Sequence, residues 1–234
     1  MIILLLFSVF ALVLTNLSIE RLISNGFRWG MILVTFIAAI HYNYGSDYMH
    51  YYDSYIEFIY YDYSFSEVLF GDLSYKGENG WLFLMYLVRP LGVSGFFVLV
   101  AFVSIFQGVV VYKLIKKYVP NEWVIFALFI YLFNTSLYVG SMSGLRQHLA
   151  MTIIGCAIPL IINRKFLLSF LIIFIASTIH KSSLIFIPFV FWGYVPVKNT
   201  RYLSIIYVIL YIFFIVSTSF KTAIVDDFFL LEDF

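Results

Sequence analysis

The chain has 234 residues, 63% of them hydrophobic and only 12% charged, with a net charge of +1 and a mean hydropathy of +0.98. Soluble domains are about 45–50% apolar and about 25% charged, so the composition excludes an ordinary water-soluble fold. It also gives no electrostatic ground for a nucleic-acid partner. The one cysteine, Cys156, lies in an apolar run, which excludes an intrachain disulfide and fits a small hydrophobe.

A helix needs about 20 apolar residues to cross the hydrocarbon, fewer if its flanks snorkel. Met1 to Asn16 lacks a basic start and a small-x-small cleavage site, so it reads as a retained helix rather than a secretion signal. Apolar runs fall at roughly 2–18, 28–44, 96–112, 123–140, 146–162, 166–180, 182–194 and 202–218. These predict an all-α, polytopic transmembrane bundle of about eight spans, one integral membrane domain over residues 1–234. Between 44 and 80 lies a polar, Tyr-rich loop. Residues 80–91 are apolar but short and close on Arg89-Pro90, which predicts a re-entrant or interfacial helix.

Charge orients the bundle. Basic residues cluster at Arg21 and Arg28, at Lys113, Lys116 and Lys117, at Arg164 and Lys165, and at Lys198 and Arg201, with only Glu20 and Glu122 among them. The 44–80 loop carries Asp47, Asp53, Glu57, Asp62, Glu67, Asp72 and Glu78 against Lys76, and the tail is acidic. The positive-inside rule places every basic cluster in the cytoplasm only if 80–112 crosses once. The N-terminus, the Tyr-rich loop, Arg146, His180-Lys181 and the tail then lie outside, where nucleotide-sugars are absent.

Four polar constellations fall on that face. Ser46 or Asp47 can cap a helix start, after which Asp47, Tyr51 and Tyr55 share a face at four-residue spacing. Rings beside carboxylates suit sugars; the same rings also suit an interfacial aromatic belt. Glu78, just before an apolar segment, is either a general base or a charge favoured by a helix N-terminus. Arg146 stands at the mouth of a long apolar segment, in Ser141 to Ala150 (SMSGLRQHLA). An arginine at a bilayer centre costs from about 2.5 to more than 10 kcal/mol, so this one is expected at the interface or against an anion such as phosphate, which its fork fits bidentately. In His180-Lys181-Ser182-Ser183 the histidine is either a satisfied helix-end residue or a proton shuttle or phosphate donor, and Lys181 is a second cation. Cations and carboxylates on one face suit a diphosphate leaving group and a hydroxyl nucleophile.

There is no Walker loop, no G-x-G-x-x-G, no H-E-x-x-H and no D-x-D pair. Ser143-Gly144 falls short of the G-x-S-G of intramembrane serine proteases, because position 141 is serine.

The ordered set Asp47…Tyr51…Tyr55, Glu78-x-Gly80-Trp81, Leu145-Arg146-Gln147-x-Leu149-Ala150 and His180-Lys181-Ser182-Ser183-Leu184 resembles the EpsG family of Wzy-like polysaccharide polymerases, over roughly residues 40–195. The resemblance implies a fold similar to lipid-sugar-dependent GT-C-like glycosyltransferases, and polymerisation of undecaprenyl-diphosphate-linked oligosaccharide repeat units outside the cytoplasmic membrane. The catalytic candidates are Arg146, Glu78, Asp47 and His180; the substrate-binding candidates are Tyr48, Tyr51, Tyr55, Trp81, Gln147 and Lys181. No metal and no cofactor are expected. The expected partners are the lipid-linked oligosaccharide, membrane lipids and a separate chain-length regulator, with no nucleic acid. Family members are usually longer, so a truncated product is a further expectation. Two rivals stay open: a membrane O-acyltransferase with His180 as base, and a transporter or flippase of lipid-linked sugars. Transporters favour polar groups near the midplane, whereas these lie at helix ends.

Overall fold

The first 39 residues fold back on themselves because small residues let two apolar helices touch. In the computed structural model, which describes residues 2–61, 63–71 and 77–192, α1 (Ile2–Ile19) and α2 (Gly26–Ala39) form an antiparallel pair. Gly26 lies against Leu14 and Gly30 against Ala11. The buried residues of α1 are Ser8, Ala11 and Thr15, while Ile2, Leu6 and Phe10 are more than half exposed. Small and weakly polar groups inside with large apolar groups outside is the pattern of helices packed in lipid. Thr15 satisfies its hydroxyl on the Ala11 carbonyl at 2.8 Å.

The next elements are short. They are α3 (Asp47–Tyr60), α4 (Phe65–Phe70) and α5 (Asn79–Val88), then a 3-10 turn, Arg89–Leu91. The Tyr-rich loop is thus largely helical. Helix α3 begins where the Ser46-Asp47 signal puts it, but neither side chain caps it; the Ser46 hydroxyl donates to the Asp47 carboxylate at 2.8 Å instead. Ten residues of α5 rise about 15 Å, half of a hydrocarbon core. Both of its ends touch α3: the Trp81 ring lies 5.7 Å from that of Tyr51, and the Val88 carbonyl accepts from the Tyr55 hydroxyl.

The long helix α6 (Ser94–Tyr118) runs about 37 Å antiparallel to α2, with Ser104 donating to the Ala38 carbonyl at 2.9 Å and the Tyr112 ring 5.1 Å from Phe27. Then come α7 (Val124–Phe133), α8 (Leu145–Ile162), α9 (Phe166–Ile179), a 3-10 segment Lys181–Phe186, and α10 (Ile187–Trp192). The elements before Trp192 make up one compact unit, Met1–Phe191. Gly155 of α8 sits beside Val110 and Leu114. At the other end Phe96 packs on Tyr48, one turn of α3 from Tyr51, which lies under Arg146. Helices α6 and α8 therefore run parallel, and α9 returns from the far end.

Among the described residues every regular element is helical, and three helices are long and apolar enough to cross a membrane: Ile2–Ile19, Ser94–Tyr118 and Leu145–Ile162. Three other expected spans end or divide inside their apolar runs, each for a local reason. The run 28–44 stops at Ala39, where the His41 ring turns onto the Ala38 carbonyl and Asn43 and Gly45 take positive φ. The run 123–140 breaks at Asn134, whose side chain accepts from Ser136 N–H at 2.9 Å and opens a π-helical turn, Thr135–Val139. The run 182–194 is divided between the 3-10 segment and α10, with Pro188 in the first turn of α10. The run 202–218, the basic pair Lys198 and Arg201, the acidic tail, Asp62 and residues 72–76 lie outside the described residues.

The α2–α6 contact is closest at Gly108, where a Cβ would fall within the Thr35 hydroxyl and methyl. Gly108→Ala is expected to destabilise the protein by about 1–3 kcal/mol, the usual range for overpacking. Thr35→Ala in the same chain should recover part of that loss. Unfolding titrations in micelles measure both.

Candidate functional site

Glu78 is the last residue before α5, and its carbonyl, not its carboxylate, takes the first N–H groups of the helix, from Trp81 at 2.9 Å and Leu82 at 3.1 Å. The carboxylate is left to face three other groups. Arg146 Nη1 donates to Oε2 at 2.9 Å, Lys181 N–H donates to Oε1 at 3.3 Å, and His180 Nδ1 lies 3.4 Å from Oε1. Residues 68 and 103 positions apart thus converge on one carboxylate. Its side chain is 14% exposed and that of Arg146 24%, so the pair is largely out of water, where a charge-assisted hydrogen bond is stronger than at an open surface.

The helices set this arrangement. Glu78 benefits from the positive end of α5, and His180 directly follows the last residue of α9. Arg146 is the second residue of α8, so its charge and the helix end repel. The Glu78 carboxylate answers that repulsion from one side. From another, the guanidinium carbon lies 5.3 Å from the Tyr51 ring centre, a cation–π distance. Two buried nitrogens, Arg146 Nε and His180 Nδ1, make no hydrogen bond among the described residues; the 3.4 Å approach of His180 to Glu78 is close without being aligned. The cluster holds unused donor capacity toward an anion.

Gly80 explains its place in the Glu78-x-Gly80-Trp81 pattern. A Cβ there would sit 2.7 Å from the Thr178 carbonyl oxygen, so only glycine lets α5 press on the end of α9 and bring Glu78 to His180. A second tether fixes the loop before α8. The His41 ring contacts the Ala38 carbonyl through Nδ1 and the Met142 carbonyl through Nε2, the latter at 2.9 Å. Asp47 N–H donates to Ser143 Oγ at 3.3 Å. Ser143, Thr178 and His41 were not among the sequence candidates. No local pattern marks them, since the loop tethers from Asp47 and His41 span 96 and 101 residues.

The sequence candidates separate into two groups. Arg146, Glu78, His180, Lys181 and Tyr51 come together, and Asp47 lies exposed one turn of α3 before Tyr51. Gln147 and Lys181 are exposed beside the cluster. Tyr48, Tyr55 and Trp81, expected to face substrate, are turned inward with at most 2% of their surface exposed. The Tyr48 hydroxyl donates to the His41 carbonyl and the Tyr55 hydroxyl to those of Val88 and Gly92. Burial, with neighbouring Tyr42 and Tyr52 adding to it, pushes Tyr48 up to about 12. These rings shape the wall on which Tyr51 and Arg146 rest. Among the described residues no three His, Cys, Asp or Glu side chains converge as a metal site would need.

The Glu78–Arg146 bond sets a stability expectation. Glu78→Gln and Arg146→Gln should each cost about 1–3 kcal/mol, the range for hydrogen bonds to charged groups. The double variant should cost clearly less than their sum in a double-mutant cycle by denaturant unfolding; additive losses would show the two side chains to be uncoupled.

Searches among curated proteins and among solved structures return no match. The sequence does match the model of the EpsG family over residues 27–233, a span that includes α3 through α10, all of α2 but its first residue, and every residue of the cluster. The chain belongs to the EpsG family, a family of membrane proteins associated with polysaccharide-polymerase-like roles.

Proposed function

We propose that this protein polymerises oligosaccharide repeat units carried on undecaprenyl diphosphate, by glycosyl transfer at the extracytoplasmic face of the cytoplasmic membrane. The observation that supports it best is the convergence of Arg146, His180 and Lys181 on one carboxylate, Glu78, at one end of the bundle of an EpsG-family chain. The chain crosses the membrane about eight times, in an arrangement of the GT-C-like kind, with a chain-length regulator as a further partner.

In the resting protein Glu78 and Arg146 satisfy each other. A lipid diphosphate is a stronger partner for the guanidinium than a single carboxylate is, since it offers more charge and more acceptor oxygens. Its arrival moves Arg146 from Glu78 to phosphate and leaves Glu78 free to accept a proton. The hydroxyl oxygen of the second repeat unit then attacks the anomeric carbon of the first. The bond from that carbon to the diphosphate oxygen breaks, the hydroxyl proton passes to Glu78, and the charge of the departing lipid diphosphate falls on Arg146, with His180 and the main-chain N–H of Lys181 beside it. Stabilising a leaving group in this way is commonly the largest catalytic contribution. Asp47, Gln147 and the Lys181 side chain, exposed at the rim, contact the sugars.

Losing one such donor lowers turnover by about 10²–10³, so cells carrying Arg146→Ala are expected to accumulate single lipid-linked repeat units with little long polymer. Arg146→Lys keeps the charge without the fork and should shorten the chains. Glu78→Gln keeps the shape without the base and should slow polymerisation by about 10²–10⁴. Polymer length on gels reads all three. Long polymer at normal yield from both arginine variants would rule out the diphosphate role.

A further inference from the structure

Two adjoining cavities lie at the end of the bundle away from Arg146. One, of about 490 Å³, has a polar wall that includes Thr15, Ser18, Arg21, Asn25 and Asn121. The other, of about 660 Å³, is a groove between α2 and α6 walled by Met31, Ile32, Phe36, Ala39, Ile105 and Val109. Both volumes are of ligand-site size. The two share Arg28, Tyr112 and Lys116, and Lys113 lines the apolar one.

The residues at this junction fit an anion. Arg21, Arg28, Lys113 and Lys116 have no carboxylate within ion-pair distance among the described residues. The nearest acids in sequence are Glu20, engaged by Asn16 at 2.8 Å, and Glu122, in the 3-10 turn Asn121–Trp123. Tyr112 holds the junction in shape, its ring 5.1 Å from that of Phe27 and 5.6 Å from Lys116 Nζ. From Lys113 back to Ile105 the groove follows α6 for about 12 Å, and its lining changes from cationic to apolar apart from Thr35 beside Gly108. Uncompensated positive charge with an apolar channel on one side and a hydroxyl- and amide-lined cavity on the other matches one chemical class. That class is a lipid with a long hydrocarbon chain, a phosphate and a hydroxylated head.

We propose that this junction binds an anionic glycerophospholipid of the phosphatidylglycerol type. An acyl chain lies in the α2–α6 groove, the phosphate sits among Arg28, Lys113 and Lys116, and the head-group hydroxyls enter the polar cavity toward Ser18, Asn25 and Asn121. The inference involves none of the residues around Arg146 and stands apart from the polymerase reading.

The full chain, purified and delipidated in detergent, is titrated with phosphatidylglycerol and with phosphatidylcholine, and bound lipid is counted by native mass spectrometry. Phosphatidylglycerol should bind at least about tenfold more tightly, as expected from several basic residues at the phosphate. Arg28→Gln with Lys116→Gln should erase that preference. Lys117→Gln with Lys165→Gln, the same charge change at residues lining neither cavity, should keep it. Ile105→Trp, which fills the groove and leaves the cations, should weaken phosphatidylglycerol binding. Excess glycerol 3-phosphate should not displace the lipid. Any of four results would overturn the proposal: equal binding of the two lipids, equal loss in both charge variants, displacement by glycerol 3-phosphate, or tighter binding of a polyprenyl phosphate than of phosphatidylglycerol. Unchanged helical circular dichroism in each variant separates lost binding from lost folding.

Discussion

A carboxylate and a guanidinium 2.9 Å apart, each mostly withdrawn from water, fasten the start of α5 to the start of α8. Neither charge is stable there alone. Arg146 faces the positive end of its own helix, and Glu78 is pressed among Arg146, His180 and the Lys181 N–H. Burying an ion pair seldom adds net stability, because desolvation offsets the attraction, whereas removing one partner is costly. Such a pair makes better sense as a poised site than as a brace. On the proposed function, the binding energy of an incoming diphosphate would separate the pair, and separation would produce a base and an anion holder in one motion.

The packing around the pair serves its placement. Gly80 lets α5 sit against the Thr178 carbonyl near the end of α9, and His41 spans from α2 to the loop that precedes Arg146. Tyr51 supplies a ring beneath the guanidinium and is itself backed by Trp81. Tyr48 and Tyr55 close the layer from inside with hydroxyls spent on main-chain carbonyls. A buried phenol whose proton is held this firmly is a poor general base near neutrality.

The sequence made the helical, membrane-embedded class legible because lipid exposure leaves a compositional trace along whole helices, as on α1 and α6. It also marked Arg146, Glu78 and His180, because a charge next to a long apolar run needs a reason. What it could not show was direction. In α3 the Asp47, Tyr51, Tyr55 spacing correctly gave one shared face, yet that face is turned mostly toward the core, since a tyrosine reads equally well as an interfacial ring or a buried one. Helix ends were also hidden. Asn134 stops α7 through a single side-chain hydrogen bond inside an otherwise continuous apolar run, and hydropathy is blind to such a bond.

Charge separates the two ends of the bundle in a way that bears on its chemistry. Arg21, Arg28, Lys113 and Lys116 have no carboxylate partner among the described residues, whereas Arg146 at the other end is paired with Glu78. Free cations attract whatever anionic lipid is abundant and hold it as a fixed neighbour. A cation already paired admits only an anion able to displace its partner, and a single lipid phosphate diester offers less charge than a diphosphate does. On the proposed function, pairing Arg146 with Glu78 would therefore screen the site against the bulk phospholipid that surrounds it. This kind of selectivity comes from a competing interaction rather than from pocket shape, and it requires the carboxylate to lie where the structure has it, on the guanidinium itself.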